Sequence, residues 1–486
     1  MFGKLARLST GQRILKNFLS LTAANILSKL IGFVTIAYLA RVLNASGFGQ
    51  ISFAQAIISY FALFTNLGLT TFGVREVARD KEHIKKHVNN ILTLRIFLAI
   101  VSFGLLLIFI AFINKPANYK ALIAFYGLSL FPLALSLDWV FQGIERMEFI
   151  GIAGILRSLV YAGLVFLFVN NPSKILSVPL FALAASFVTI ALPIYIFVKN
   201  YGWFSFSFNW SIWKEFLIKA LPMGFSFIMI QIYYNLDTIM LGFMKGDEVV
   251  GWYNAAYKII FFILPFSGLL IQSIFPLISK YYKESREKLS LLVNTSAKIL
   301  TAVAIPLGIG GTILAKPIMN LIYGPQYQNG VIAFQILIWT VAVIFVCVNF
   351  GNSLMACDGE RKYAVGVSVG AGTNIILNFL LIPRFSLVGA AIATFATEVV
   401  VLVYMAYHFS KITRIHLERY ILKPSIASLV MGAVIWTVRI NVLLSIIIGA
   451  AVYLAVFLSI RGVNGEDIRL IRRHILGRPD EVKHEV

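Results

Sequence analysis

Apolar segments long enough to cross a lipid bilayer recur along the whole chain, and this recurrence restricts the fold more than any other feature. Of the 486 residues, 59% are hydrophobic and 13% are charged, which is far from the composition of soluble globular proteins. We therefore expect an all-α polytopic membrane protein. Because a span needs about 20 apolar residues, the sequence predicts about fourteen transmembrane helices, beginning near Phe18, Gly47, Ile91, Tyr119, Phe149, Ile175, Glu215, Val249, Leu291, Gly330, Tyr363, Leu387, Tyr420 and Asn441.

The second half of the sequence repeats features of the first half. Residues 18–64 and 216–263 each read as a helical hairpin, and each begins with Phe-Leu. In both, a glycine opens the returning helix, so that Gly49 corresponds to Gly251. Internal repeats of this kind are usual in secondary transporters, whose two bundles rock about a site between them.

The correspondence continues into the next span of each half, where Arg95 corresponds to Lys298. We therefore predict two pseudo-symmetric six-helix bundles followed by a helix pair. The predicted division is an N-terminal bundle (1–200), a C-terminal bundle (201–410), a terminal helix pair (411–462) and a basic cytoplasmic tail (463–486).

Basic residues alternate between the predicted loops. In a soluble chain the formal charge of +21 would suggest a nucleic-acid partner, but here the basic residues follow the membrane, so we expect no nucleic acid. The positive-inside rule then places both termini in the cytoplasm of a multi-pass cell-membrane protein. The predicted outer side carries only Arg41, Lys115, Lys120, Lys174, Lys245, Lys316, Arg384 and Arg439.

Six further basic residues fall inside predicted spans, namely Lys29, Arg95, Arg157, Lys219, Lys258 and Lys298. An intramembrane charge is costly unless it faces a partner or water, so each is a candidate for the transport pathway. Four of them lie in the cytoplasmic third of their helices, Arg95, Arg157, Lys219 and Lys298. These four would suit a vestibule that holds phosphate or pyrophosphate. The alternative is that they are four independent anchors at the membrane interface. The candidate substrate-binding residues, including one at the outer end of the first span, are Lys29, Arg41, Arg95, Arg157, Lys219 and Lys298.

Two charges of opposite sign fall at similar depth in the seventh and eighth spans. Asp237 and Lys258 differ in depth by about 6 Å at 1.5 Å per residue, so they are candidates for a gating or coupling pair. A structural ion pair is the alternative interpretation. A coupling carboxylate would bind a cation, Na+ or H+, and we expect no other cofactor and no metal site.

Two more carboxylates are candidates for gating or coupling. Asp138 lies at the inner end of the fourth span, where it could pair with Arg75 or Arg157. Glu398 is alone in the twelfth span, and burial would favour its protonated form.

Several stretches resemble the polysaccharide and O-antigen flippases of the multidrug/oligosaccharidyl-lipid/polysaccharide exporter superfamily. They are SKLIGFVTIAYLARVLNASGFGQISFAQAI, LGLTTFGVREVARD, LDWVFQGIERM, NLDTIMLGFMKGDEVVGWYNAAYKI and IYGPQYQNG. The resemblance implies two six-helix bundles that alternate their access. It implies a substrate that is an oligosaccharide on a polyprenyl pyrophosphate, turned over from the cytoplasmic to the outer leaflet.

The resemblance also bears on the alternatives. The lipid II flippases of that superfamily carry an arginine soon after a Gly-Phe in the first helix, where this chain has Thr35, which favours a polysaccharide repeat unit over a peptidoglycan precursor. We expect a transporter and not an enzyme, with membrane lipids around it and a polysaccharide polymerase or glycosyltransferases as partners. A cation-coupled multidrug antiporter of the same fold is one alternative, and a membrane glycosyltransferase or polymerase is the other.

Overall fold

The computed structural model describes residues 10–438 and 440–462, without the side chains of residues 10–23, 223, 225–227 and 417–419. Within these residues the chain is helical apart from short connections, and no strand occurs. The predicted basic tail, 463–486, lies outside the described residues. The all-α prediction is confirmed.

Nine helices make up the first half of the chain. They are α1 (Thr10–Asn66), α2 (Leu69–Arg79), α3 (Ile84–Phe112), α4 (Ala117–Gly127), α5 (Leu130–Leu135), α6 (Asp138–Gly143), α7 (Glu148–Phe168), α8 (Ser177–Tyr201) and α9 (Trp210–Met244).

Eight helices follow among the described residues of the second half. They are α10 (Asp247–Ile263), α11 (Pro265–Glu284), α12 (Arg286–Ile313), α13 (Ala315–Tyr323), α14 (Val331–Ala356), α15 (Glu360–Ser410), α16 (Leu417–Val438) and α17 (Val442–Ser459).

Eleven helical stretches of the described residues are long and apolar enough to span a membrane. Two of them contain a residue with non-helical backbone angles, Asn44 in α1 and Ser386 in α15, which divides each into two helices. Helix α9 adds one more segment of 35 residues. The sum is fourteen segments, in agreement with the span count predicted from hydropathy.

The helices group into two compact units, residues 1–251 and residues 252–486. Helices α1 to α9 belong to the first unit, and α9 packs there against α1, α2 and α3. In the second unit, α14 packs on α15 and α12, and α12 also packs on α16. The division at 200/201 that the sequence suggests stays a prediction.

One asparagine in each unit holds the connection that follows the sixth span of that half. In the first unit, the side chain of Asn89 on α3 makes two hydrogen bonds to Ser205. Its Nδ2 donates to the Ser205 hydroxyl (2.9 Å), and its Oδ1 accepts from the Ser205 backbone N–H (3.0 Å). In the second unit, Asn294 of α12 donates to the Arg414 carbonyl (2.9 Å) and accepts from the His416 N–H (2.9 Å). The two units thus repeat a structural device as well as a helix order.

Candidate functional site

The second span is broken at the junction of α1 and α2. Leu67 and Gly68 have positive φ angles of 42° and 83°. Beyond the break the Asn66 side chain caps α2, because its Oδ1 accepts from the Thr70 N–H (3.0 Å) and hydroxyl (2.7 Å). Interrupted helices occur in membranes where the irregular backbone lines a cavity or is enclosed by protein. The break is therefore a candidate functional position.

Helix α9 crosses this break backbone to backbone. A Cβ on Gly68 would overlap the Ala220 carbonyl, and a Cβ on Gly224 would lie 2.9 Å from the Leu67 carbonyl. Between these contacts lies Pro222, which has no N–H, so the helix loses one internal hydrogen bond there. A broken span and a helix with an internal proline thus meet at one level of the first unit.

A cavity of about 210 Å³ with both polar and apolar lining lies at this crossing. We call it the amide cavity, because its lining includes the side chains of Asn66 and Gln231 together with the hydroxyl-bearing Ser59. The Gln231 side-chain oxygen accepts from Asn235 (2.6 Å), and its backbone carbonyl accepts from the Tyr60 hydroxyl (3.3 Å). Amides and hydroxyls both donate and accept hydrogen bonds, as sugar hydroxyls do.

Arg95 is buried next to this cavity and not exposed in a vestibule. Its side chain is 2% exposed, and its two terminal nitrogens donate to the carbonyls of Leu133 (2.6 Å) and Ser136 (3.0 Å). These carbonyls flank the end of α5, where the fourth span is broken before α6. The guanidinium therefore satisfies carbonyls that a helix end leaves without partners.

Asp138 begins α6 on the far side of the same break. Arg95 and Arg157 lie close enough to interact with it electrostatically. Its backbone N–H bonds the Ser136 hydroxyl (3.4 Å), and one carboxylate oxygen is buried without a hydrogen-bond partner among the described residues. The structure thus brings three of the ten predicted residues together, Arg95, Arg157 and Asp138.

The other predicted residues lie apart from this group or in the second unit. Lys29, Arg41 and Lys219 are exposed, and Lys219 pairs with Glu215 on its own helix at 2.5 Å. In the second unit Lys258 and Lys298 are half-buried and Glu398 is buried. Glu398 interacts electrostatically with Cys347.

Asp237 is 1% exposed and lies on α9, six residues after Gln231 of the amide cavity. It interacts electrostatically with Tyr60, whose hydroxyl bonds the Gln231 backbone. Asp237 belongs to the first unit and Lys258 to the second, and their pairing stays a prediction.

A second crossing, which was not predicted from the sequence, brings residues 45–49 of α1 against residues 247–251 of α10, all within the first unit. A Cβ on Gly49 would overlap the Asp247 carbonyl, and a Cβ on Gly251 would overlap the Ala45 carbonyl. The contact is reciprocal, since corresponding positions of the repeat exchange roles. The correspondence of Gly49 with Gly251 was the signal in the sequence that could have revealed this glycine crossing.

Polar side chains fasten the glycine crossing on one side. The Asp247 carboxylate accepts from Gln50 Nε2 (3.1 Å) and forms an ion pair with Lys115 Nζ (3.4 Å). Lys115 also donates to the Gly242 carbonyl (3.3 Å) and lies 4.9 Å from the centre of the Tyr119 ring. The start of α10 is therefore bonded both to α1 and to the connection before α4.

The second unit contains an apolar groove of about 420 Å³. Helices α10, α12, α13, α14, α16 and α17 form its walls, and Pro306, Gly449 and Leu454 are among the lining residues. The Tyr453 hydroxyl bonds the Ala302 carbonyl across it at 2.5 Å. The lining is aliphatic almost throughout, so the groove suits a hydrocarbon chain.

The sequence and the fold match known transporters and biosynthesis proteins. The family model described as polysaccharide biosynthesis protein matches residues 14–282, and a second model, MatE, matches residues 222–380. A putative O-antigen transporter of Escherichia coli K12 is 28% identical over 76% of this chain and 91% of its own length. A probable low-salt glycan biosynthesis flippase, Agl15 of Haloferax volcanii, is 25% identical over 92% of this chain and 95% of its own length.

A solved structure, the lipid II flippase MurJ in an inward closed conformation, superposes with a TM-score of 0.75. The match covers 91% of this chain and 98% of that one at 16% sequence identity. At that identity the similarity concerns the fold.

Proposed function

Because the chain belongs to the polysaccharide biosynthesis protein family, we propose that it is a flippase for a lipid-linked oligosaccharide. The substrate is an oligosaccharide on a polyprenyl pyrophosphate, and the protein turns it over from the cytoplasmic to the outer leaflet of the cell membrane. The relatives named O-antigen transporter and glycan flippase support this class of substrate. The protein performs no covalent chemistry in this proposal.

The apolar groove of the second unit is the observation that carries the lipid part of the proposal. A carrier lipid that remains in the bilayer while its head group crosses needs a hydrocarbon-lined path beside the route of the head group. The groove is mostly aliphatic and walled by six helices. A soluble sugar nucleotide would have no use for such a surface.

The amide cavity supports the sugar part of the proposal. Its amides and hydroxyl can bond to sugar hydroxyls without carrying charge. The candidates for holding the pyrophosphate are Arg41, at the outer end of the first predicted span, and residues that the sequence places inside spans, Lys29, Arg157, Lys219 and Lys298 beside the buried Arg95. Asp237, Lys258 and Glu398 are the candidates for gating or for coupling to Na+ or H+, and both termini are cytoplasmic in this proposal.

A cation-coupled antiporter of small molecules is the second candidate, and the MatE match over residues 222–380 favours it. Such an exporter of cationic compounds would need an acidic cavity. The charges that lie within the spans are mostly basic, which favours an anionic head group. Flipping and drug efflux, measured on the same purified protein, distinguish the two functions.

The groove provides the test. We expect Ala450→Trp, which fills the groove, to abolish flipping of a fluorescent polyprenyl-pyrophosphate oligosaccharide in proteoliposomes. Ala451→Trp is the matched control, because Ala451 is exposed but does not line the groove, and it should flip at the wild-type rate. Equal flipping by both variants would show that the groove takes no part in flipping. Drug efflux without flipping by the wild-type protein would show that the protein is an antiporter and not a flippase.

A further inference from the structure

The connection between α8 and α9 exposes a row of aromatic side chains next to the end of a span. We call residues 202–210 the aromatic strap. Trp203, Phe206, Phe208 and Trp210 are between 60% and 77% exposed. The strap begins directly after Tyr201, the last residue of a candidate membrane span. Such a density of exposed rings outside a spanning helix is not required by the core, so it indicates a contact with something else.

Hydrogen bonds to α3 fix the direction of the strap. Ser205 is held by Asn89, and the Ser207 N–H bonds the Thr93 hydroxyl at 3.1 Å. Four residues of helix advance by about 6 Å, and two extended residues advance by about 6.6 Å. The strap therefore runs alongside α3 in the same direction, away from the helix start at Ile84 and towards the interior of that span.

Because the strap runs in this direction, its aromatic rings lie at different depths in the membrane. Trp203 lies level with the end of the span, and Phe208 and Trp210 lie further in. Tryptophan and phenylalanine are favoured at the boundary between head groups and acyl chains, where an apolar ring meets polar lipid. The Ser205 hydroxyl and the N–H groups of Ser205 and Ser207 face α3 through the bonds above, which leaves the exposed aromatic side chains to meet the membrane.

Lysines surround the strap. The Nζ of Lys85 lies 3.4 Å from the position that a Cβ on Gly202 would occupy, and Lys86 follows it on α3. Lys199 precedes the strap and Lys214 follows it, and the side chains of all four are exposed. Against these four lysines stand Asp80 and Glu82, which precede α3, and Glu215, which is paired with Lys219. The surface therefore carries a net positive charge.

We propose that the aromatic strap is a lipid-binding element that lies in the head-group layer of the cytoplasmic leaflet and recruits anionic phospholipids. The rings enter the interface, and the lysines attract the phosphates of neighbouring head groups. The assignment to the cytoplasmic leaflet rests on the topology in the proposed function. The binding of anionic lipid by the strap does not require flipping.

Tryptophan fluorescence tests the proposal in the full-length protein. The chain has seven tryptophans, and the difference between wild type and Trp203→Phe/Trp210→Phe isolates the two strap residues. In liposomes with a minor fraction of brominated phosphatidylglycerol, this difference signal should be quenched more strongly than with brominated phosphatidylcholine. An attraction of about 1 kcal/mol per lysine corresponds to an enrichment of about fivefold.

A second variant keeps the tryptophans and removes the charge. Lys85→Gln/Lys199→Gln should retain the quenching but markedly reduce the preference for phosphatidylglycerol, because two of the four lysines are removed. Trp436→Phe, which removes an exposed ring on α16, is the control and should leave the preference unchanged. Equal quenching by both lipids in the wild type, or no quenching of the strap tryptophans, would overturn the proposal.

Inorganic phosphate distinguishes a lipid site from a site for free anions. Added phosphate at constant ionic strength should leave the preference for phosphatidylglycerol intact. If it abolishes the preference, the lysines bind free phosphate and the lipid assignment is wrong. The quenching result is independent of transport, so a protein that binds the lipid but does not flip would contradict only the proposed function.

Discussion

At the scale of single residues, Gly49 and Gly251 determine how closely α1 and α10 approach. Each lacks the Cβ that would otherwise overlap a carbonyl oxygen of the opposing helix. The Asp247 carboxylate, bonded by Gln50 and Lys115, then fastens the contact. The glycines therefore permit the approach and the polar side chains stabilise it.

We expect Gly49→Ala to destabilise the protein, although alanine is the better helix former. Forcing a methyl group into a closed contact costs about 1–3 kcal/mol, which exceeds the gain of about 1 kcal/mol from helix propensity. The thermal unfolding midpoint in detergent measures the change. Gly104→Ala is the control, because nothing lies within 4 Å of the position of its Cβ, and it should unfold at the wild-type temperature or above it.

At the scale of helices, broken spans organise the first unit. The second span breaks at Leu67–Gly68, the fourth breaks between α5 and α6, and α9 carries Pro222 where it crosses the first of these breaks. Leu133 contributes both to the amide cavity and to the carbonyls that Arg95 holds. Arg95 therefore supports one wall of the amide cavity through its hydrogen bond to the Leu133 carbonyl.

We expect Arg95→Met to destabilise the break in the fourth span. The change leaves two carbonyls without donors in a buried place, at about 1–3 kcal/mol, and Arg95→Lys should recover only part of this because lysine lacks the planar fork. The unfolding midpoint measures the effect, and Lys219→Met, which removes an exposed pair, is the control. Wild-type stability of Arg95→Met together with lost flipping would instead indicate that Arg95 contacts the substrate.

At the scale of the whole molecule, the length and number of apolar segments were enough to predict the helical class and fourteen spans. Depth along a helix was enough to place Arg95 inside the fold, but depth does not give the rotation of a helix about its axis. The sequence therefore did not reveal that Arg95 turns towards the α5 end while Lys219 stays exposed. The break at Leu67–Gly68 was also missed, because it has no proline and depends on the tertiary crossing with α9.

The fourteen spans predict a topology that can be measured. In a variant without Cys347 and Cys357, cysteines in place of Lys174 and Arg384 should react with an impermeant maleimide in intact cells. Cysteines in place of Lys283 and Lys411 should react only after permeabilisation. All four positions are exposed, so a lack of reaction reports the side of the membrane. The reverse pattern would invert the proposed orientation.

The glycine crossing also bears on how a chain of this length arose. Gly49 contacts Asp247, and its counterpart Gly251 contacts Ala45, the counterpart of Asp247. Identical subunits related by a two-fold axis make reciprocal contacts of this kind. Here both segments belong to one polypeptide. A half-length ancestor that formed homodimers would have made this crossing with its own copy. After gene duplication and fusion, the two halves could then diverge, one towards broken polar helices and the other towards an apolar groove.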